Sequence, residues 1–131
     1  MKLTSRQLRL AASLLVLSFC GCAPYRFTAR PGASGRVIDA RSRKPIAGAT
    51  VFLTVRHMDA WSHSAADGSF LLPPEHRWRI CIVGEEPANL DVHVSFGAGG
   101  YISTSRQFLS SSFGPAMTQL GDIKMQTRKS P

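Results

Sequence analysis

Between Ala49 and Val55 the chain alternates strictly. Ala49, Val51, Leu53 and Val55 are aliphatic, while Thr50, Phe52, Thr54 and Arg56 occupy the other phase. Successive side chains on a strand point to opposite faces, so this period of two gathers the aliphatic set on one side of a sheet. β-branched residues dominate, which suits a pleated, half-buried surface. Such a strand needs hydrogen-bonded neighbours and a second layer over its apolar face.

Similar short runs, split by turn residues, recur along the chain. Residues 35–39 form one, ended by the turn 41–45. Asp67-Gly68 is a tight-turn signal before residues 69–72, which Pro73-Pro74 stops. Trp78, Ile80 and Ile82 alternate with Arg79, Cys81 and Val83, which predicts a strand with Trp78 facing the core. Residues 84–87 read as a loop. Val92, Val94 and Phe96 then alternate with Asp91, His93 and Ser95, so His93 is expected to face outward. A Gly-rich connection over 97–100 leads to a Ser/Thr-rich strand at 101–108 and a loop at 110–115. Residues 120–125 close the chain, with Ile123 and Met125 on one face. No helical period is evident after residue 22. The spacing predicts an all-β fold, a seven-stranded antiparallel Greek-key sandwich over residues 34–127, followed by a tail at 128–131.

The N-terminus has a different character. Lys2, Arg6 and Arg9 precede an apolar run over residues 10–19. This is the layout of a secretory signal, and the run is shorter than the roughly 20 residues that cross a bilayer. Phe19-Cys20-Gly21-Cys22 resembles a bacterial lipobox, with Gly21 in the small −1 position and Phe19 departing from the aliphatic −3 position. Cys20 is the rival, with bulky Phe19 before it. The resemblance implies that a signal peptide of residues 1–21 is removed and that Cys22 is lipidated. Residues 22–33, with Pro24, Pro31 and Gly32 and no apolar period, are then expected to be the lipidated N-terminus and an irregular tether. Ala23 stands where an inner-membrane retention Asp would be, which implies the outer membrane, with the domain in the periplasm.

Charge and cysteine content narrow the function. The whole chain carries 16 Lys+Arg and 8 Asp+Glu. Residues 1–21 hold three of the basic residues and none of the acids, leaving 13 against 8, a net +5. The basic residues are scattered rather than set in a stripe, which argues against nucleic acid. The expected partners are the membrane, through the N-terminal lipid, and cell-wall polymer or other envelope proteins. Beyond Cys20 and Cys22 there is only Cys81, so the domain must fold without an internal disulfide.

Residues 35–39, then Lys44-Pro45-Ile46-Ala47-Gly48-Ala49-Thr50-Val51, then Ala66-Asp67-Gly68-Ser69-Phe70, resemble the carboxypeptidase regulatory-like domain. Gly100-Tyr101 and Leu120-Gly121-Asp122-Ile123 are similar to its closing half. The resemblance covers residues 34–127 and implies a transthyretin-like sandwich. It also implies an accessory domain rather than a catalytic one. None of His57, His63, His76 or His93 is followed three positions later by Glu, as a metallocarboxypeptidase zinc motif needs. There is no Gly-x-Ser-x-Gly, and Cys81 has no adjacent base. The chain is therefore expected not to be an enzyme and to hold no cofactor.

Two binding possibilities remain. His57, His63 and His76 could form a metal site only if their loops met, because zinc needs three or four converging ligands. Residues 58–66 read as a loop between two expected strands, containing Trp61 flanked by His57 and His63. An exposed indole on a rigid scaffold suits a carbohydrate or a peptide, so Trp61, His57 and His63 are the candidate ligand-binding residues. The alternative is that Trp61 folds back and seals the sandwich edge.

Overall fold

The computed structural model describes residues 6, 7, 9, 12–15, 24–80 and 88–128. Among these, the strands in chain order are β1 (Pro24–Arg30), β2 (Gly32–Asp39), β3 (Thr50–Val55), β4 (Met58–His63), β5 (Ser69–Leu72), β6 (Glu75–Ile80), β7 (Asn89–Gly97), β8 (Thr104–Ser111) and β9 (Met117–Met125). They form a four-stranded sheet in the order β4-β3-β7-β8, a three-stranded sheet in the order β5-β2-β9, and a two-stranded ribbon of β1 and β6. Cys20, Cys22, Cys81, Ile82 and residues 84–87 lie outside the described residues. The described residues before Cys20 are helical, and no described helix is long and apolar enough to cross a membrane.

The period-two runs build the core as their pattern requires. Val51, Leu53 and Val55 of β3 are fully buried, and so are Val92 and Val94 of β7, with Phe96 almost so. Antiparallel pairing sets Leu53 against Val94 and Val51 against Phe96, so both strands turn one apolar face the same way. Val37 of β2, Phe70 and Leu72 of β5, and Ile123 and Met125 of β9 close over that face in a single core. The Phe70 and Phe96 rings meet edge to face across it, centroids 5.5 Å apart. Each such side chain contributes about 1.5–3 kcal/mol on leaving water. His93, in the opposite phase of β7, is exposed as expected. The molecule is an all-β sandwich.

The turns are made by local chemistry. The Asp39 carboxylate accepts hydrogen bonds from the backbone N–H groups of Arg41 and Ser42, at 2.8 and 2.7 Å. These bonds hold its carboxyl below the usual range. Burial, together with the neighbouring Asp39, pushes the Tyr101 hydroxyl above its ordinary value. At Gly68 the backbone has φ +79°, and a Cβ would stand 2.5 Å from the Val37 carbonyl oxygen. Only glycine fits there, because β2 passes directly over the turn.

Several expectations need correction. The strands number nine among the described residues, not seven, and they lie in three sheets. The pairing is not wholly antiparallel: β2 and β9 run parallel, with Val37 beside Ile123 and Asp39 beside Met125. Residues 24–30 are a strand instead of an irregular tether, because Tyr25, Phe27 and Ala29 alternate with Arg26, Thr28 and Arg30, a period hidden between Pro24 and Pro31. Residues 58–63 are a strand instead of a loop. Their inward set is Met58, Ala60 and Ser62, too small and polar to register as a core face. β8 continues to Ser111, into the expected 110–115 loop. Trp78 and Ile80 do not face the core; they are 72% and 62% exposed, because β6 pairs with β1 in the ribbon and enters neither facing sheet.

The ribbon is fastened where it meets the sandwich. The Thr28 N–H donates to the Ser112 carbonyl at 3.0 Å. Buried Arg30 donates through Nη2 to the Pro73 carbonyl at 3.4 Å, and its Nε lies 3.8 Å from Glu75.

The phase assignment has a direct test. Val51→Asp and Val94→Asp should each destabilise the domain by more than about 4 kcal/mol, since each places an unpaired charge in the core. Ser95→Asp, on the outward phase of β7, should stay within about 0.5 kcal/mol. Urea denaturation of the three variants separates these outcomes.

Candidate functional site

β3 and β4 are joined by the two-residue turn Arg56-His57, with Arg56 at φ +53°. The tightness of this turn brings β4 back directly beside β3, residue against residue. Phe52 therefore sits opposite Trp61, and Thr50 opposite His63. Paired residues share a sheet face, and this one is the outer face of the four-stranded sheet. Trp61 is 68% exposed there and Phe52 40%. The Trp61 and His63 rings meet edge-on with centroids 5.5 Å apart. His63 Nδ1 lies 3.4 Å from the Thr50 hydroxyl.

A polar row crosses the same face beside the aromatic pair. Thr54 Oγ1 donates to Asp59. Asp91 accepts from Gln107 Nε2 at 2.8 and 2.9 Å and lies 3.5 Å from His93 Nε2. An open groove of about 640 Å³ begins at His63 and runs along β5, lined by Ser34, Ser62, Ser69, Leu71 and Gln119. This corner offers an indole and a phenyl face for stacking, with hydroxyl, amide and imidazole groups at its edge.

Of the three expected binding residues, the structure brings Trp61 and His63 together and leaves His57 apart. His57 lies in the turn at one end of β4 and His63 at the other end. Six residues of strand separate them by about 20 Å at roughly 3.3 Å per residue. His76 is on the ribbon, 3.5 Å from Thr28 Oγ1. The three histidines do not converge, and no group of three His, Cys, Asp or Glu among the described residues could hold a metal ion. Cys22 lies outside the described residues. Phe52 was missed as a site residue, although its signal was present: it is the one large apolar side chain in the outward phase of β3.

Fold and site together define an all-β sandwich with an aromatic outer sheet face and an added ribbon. No family profile and no curated protein matches the chain. One solved structure similar to it is 3-chlorocatechol 1,2-dioxygenase from Rhodococcus opacus 1CP, with a TM-score of 0.42 and 14% identity. The match covers 72% of this chain and 58% of that one. That protein is an enzyme, and nothing in the comparison upholds the expectation that this chain is not one. The likeness is too distant to assign any chemistry to this chain.

The exposure of Trp61 bears on its sealing role. An indole this exposed seals little, so Trp61→Ala should change stability by no more than about 0.5 kcal/mol. A buried sealing residue would cost about 3–5 kcal/mol. Thermal melting of the variant distinguishes the two.

Proposed function

We propose that this chain is a lipid-anchored protein of the bacterial outer membrane, held through Cys22 after loss of residues 1–21, with its sandwich in the periplasm as a structural or binding module. The observation that carries this reading is the order of segments at the N-terminus. A basic start, a ten-residue apolar run and Cys22 are followed at once by Pro24, the first residue of β1. The short apolar run suits a signal segment. One acyl chain holds a protein only marginally, and stable attachment takes more than one, as the diacylglyceryl cysteine of bacterial lipoproteins provides.

The resemblance to the carboxypeptidase regulatory-like domain belongs to the same reading. It is supported by Asp67-Gly68 at a tight turn and by the buried alternate residues of β3. The second element of the proposal is a ligand face. Trp61 and Phe52, side by side and solvent-facing, favour a carbohydrate or a peptide presented by cell-wall polymer or another envelope protein. Gly48, which the resemblance places in the turn into β3, has φ +69° with open space around it, so its role there is conformational.

Mass spectrometry of the protein recovered from membranes tests the anchor. The mature chain should begin at Cys22 and carry the mass of a diacylglyceryl group, with or without a further acyl chain. A mature N-terminus at Ala23 or Pro24 without lipid contradicts it.

A further inference from the structure

The ribbon of β1 and β6 has two faces of different character. Cross-strand partners share a face. Tyr25 is paired with Arg79 and Phe27 with Arg77, and Tyr25 stacks on Phe113 of the β8–β9 connection, centroids 5.3 Å apart. This inner face leans on the sandwich. The outer face pairs Pro24 with Ile80 and Arg26 with Trp78, and ends at Thr28, which is buried opposite His76. Trp78 at 72% and Ile80 at 62% exposure are among the most exposed large apolar residues of the protein. They sit together on one strand, beside an arginine, with no carboxylate on that face among the described residues.

The position of this face matters as much as its composition. Pro24 and Ile80 form the far end of the ribbon, and Pro24 lies two residues after Cys22. Two residues of extended chain reach at most about 7 Å. The polar headgroup layer of one leaflet is itself about 5–8 Å thick. A lipid on Cys22 therefore brings the Pro24–Ile80 end of the ribbon into the headgroup layer. Indole rings concentrate at that depth, with an apolar body and an N–H that stays hydrated. Arginine side chains extend their apolar stems along apolar surface and keep the guanidinium at the phosphates. On the outer face Arg26 is exposed beside Trp78, and its positive charge complements an anionic phospholipid surface.

We infer that the outer face of the β1–β6 ribbon, with Trp78, Ile80 and Arg26, docks on the anionic phospholipid surface to which Cys22 is anchored. The inference rests on the lipid-anchor reading and deepens it. It turns the ribbon into a second membrane contact that fixes the orientation of the sandwich. With the Pro24 end down, the sandwich stands off the membrane on the ribbon.

The two tryptophans of the chain make the test direct. The full mature protein, carrying whatever its N-terminus carries in the cell, is reconstituted as Trp61→Phe and as Trp78→Phe. The vesicles are mixed phosphatidylethanolamine and phosphatidylglycerol, with and without brominated acyl chains. The Trp61→Phe protein, which retains Trp78, should show blue-shifted emission and several-fold stronger quenching by brominated lipid than the Trp78→Phe protein. Replacing phosphatidylglycerol by phosphatidylcholine, or Arg26 by Gln, should weaken that quenching. Trp78 left unquenched in protein that co-floats with vesicles overturns the docking and leaves the anchor standing. Equal quenching of both indoles also overturns it, since the sandwich then has no fixed orientation. Shielding of Trp78 that grows only with protein concentration assigns the face to a second copy of the chain and likewise overturns it. An unmodified Cys22 in protein that fails to co-float removes the anchor and the docking together.

Discussion

The fold depends on one packing event, the closure of the three-stranded sheet over the apolar face of the four-stranded sheet. β3 and β7 supply that face with Val51, Leu53, Val55, Val92, Val94 and Phe96, every second residue of two neighbouring strands. Neither strand is stable with this face in water, because the backbone ladder alone contributes little against the entropy of ordering it. Phe70, Leu72, Val37, Ile123 and Met125 form the lid. The lid exists because β2 accepts β5 on one side and β9 on the other. The last strand therefore returns beside the first strand of the sandwich and runs parallel to it, which ties the two ends of the domain together without a disulfide.

How much of this could be read beforehand follows from where side chains are buried. β3, β5 and β7 were legible because their inward positions are aliphatic or aromatic and their outward positions, apart from Phe52 and Leu71, are polar. β4 was not. It is an edge strand whose inward set is Met58, Ala60 and Ser62, and its large side chain, Trp61, points to solvent. Hydrophobic periodicity reports burial rather than extension, so an edge strand with its aromatic outside reads as a loop. The same confusion inverted Trp78 and Ile80. Their alternation marks a real strand, but that strand pairs only with β1, and its apolar side was mistaken for a core side. β1 was lost between prolines. Its residues lack aliphatic character, and its partner β6 lies about fifty positions away, a separation that no local pattern encodes.

The candidate site was legible in one half. Trp61 and His63 were visible as residues, yet their setting depends on the two-residue turn at Arg56-His57. That turn brings Phe52 alongside Trp61 and carries His57 away from both. Arg56 reaches φ +53° without being glycine, so sequence alone carried no turn signal there. The sandwich consequently presents two separate aromatic surfaces. One lies on the outer sheet face, where Trp61 and Phe52 stand beside a polar row. The other lies on the ribbon that leads to Cys22. The first faces whatever the sandwich meets, and the second faces the side from which the chain enters the fold.

Residues 24–30 are half of an ordered ribbon, so the chain is held by strand pairing from Pro24 onward. Hydrogen–deuterium exchange of the protein, followed on peptides spanning β1 and β6, measures this most directly. Amides of β1 that bond to β6, together with Thr28, which donates to Ser112, should exchange far more slowly than those of an unstructured chain. Exchange across residues 24–30 at the rate of a free peptide, with β3 and β7 protected, would show a flexible tether and contradict the account.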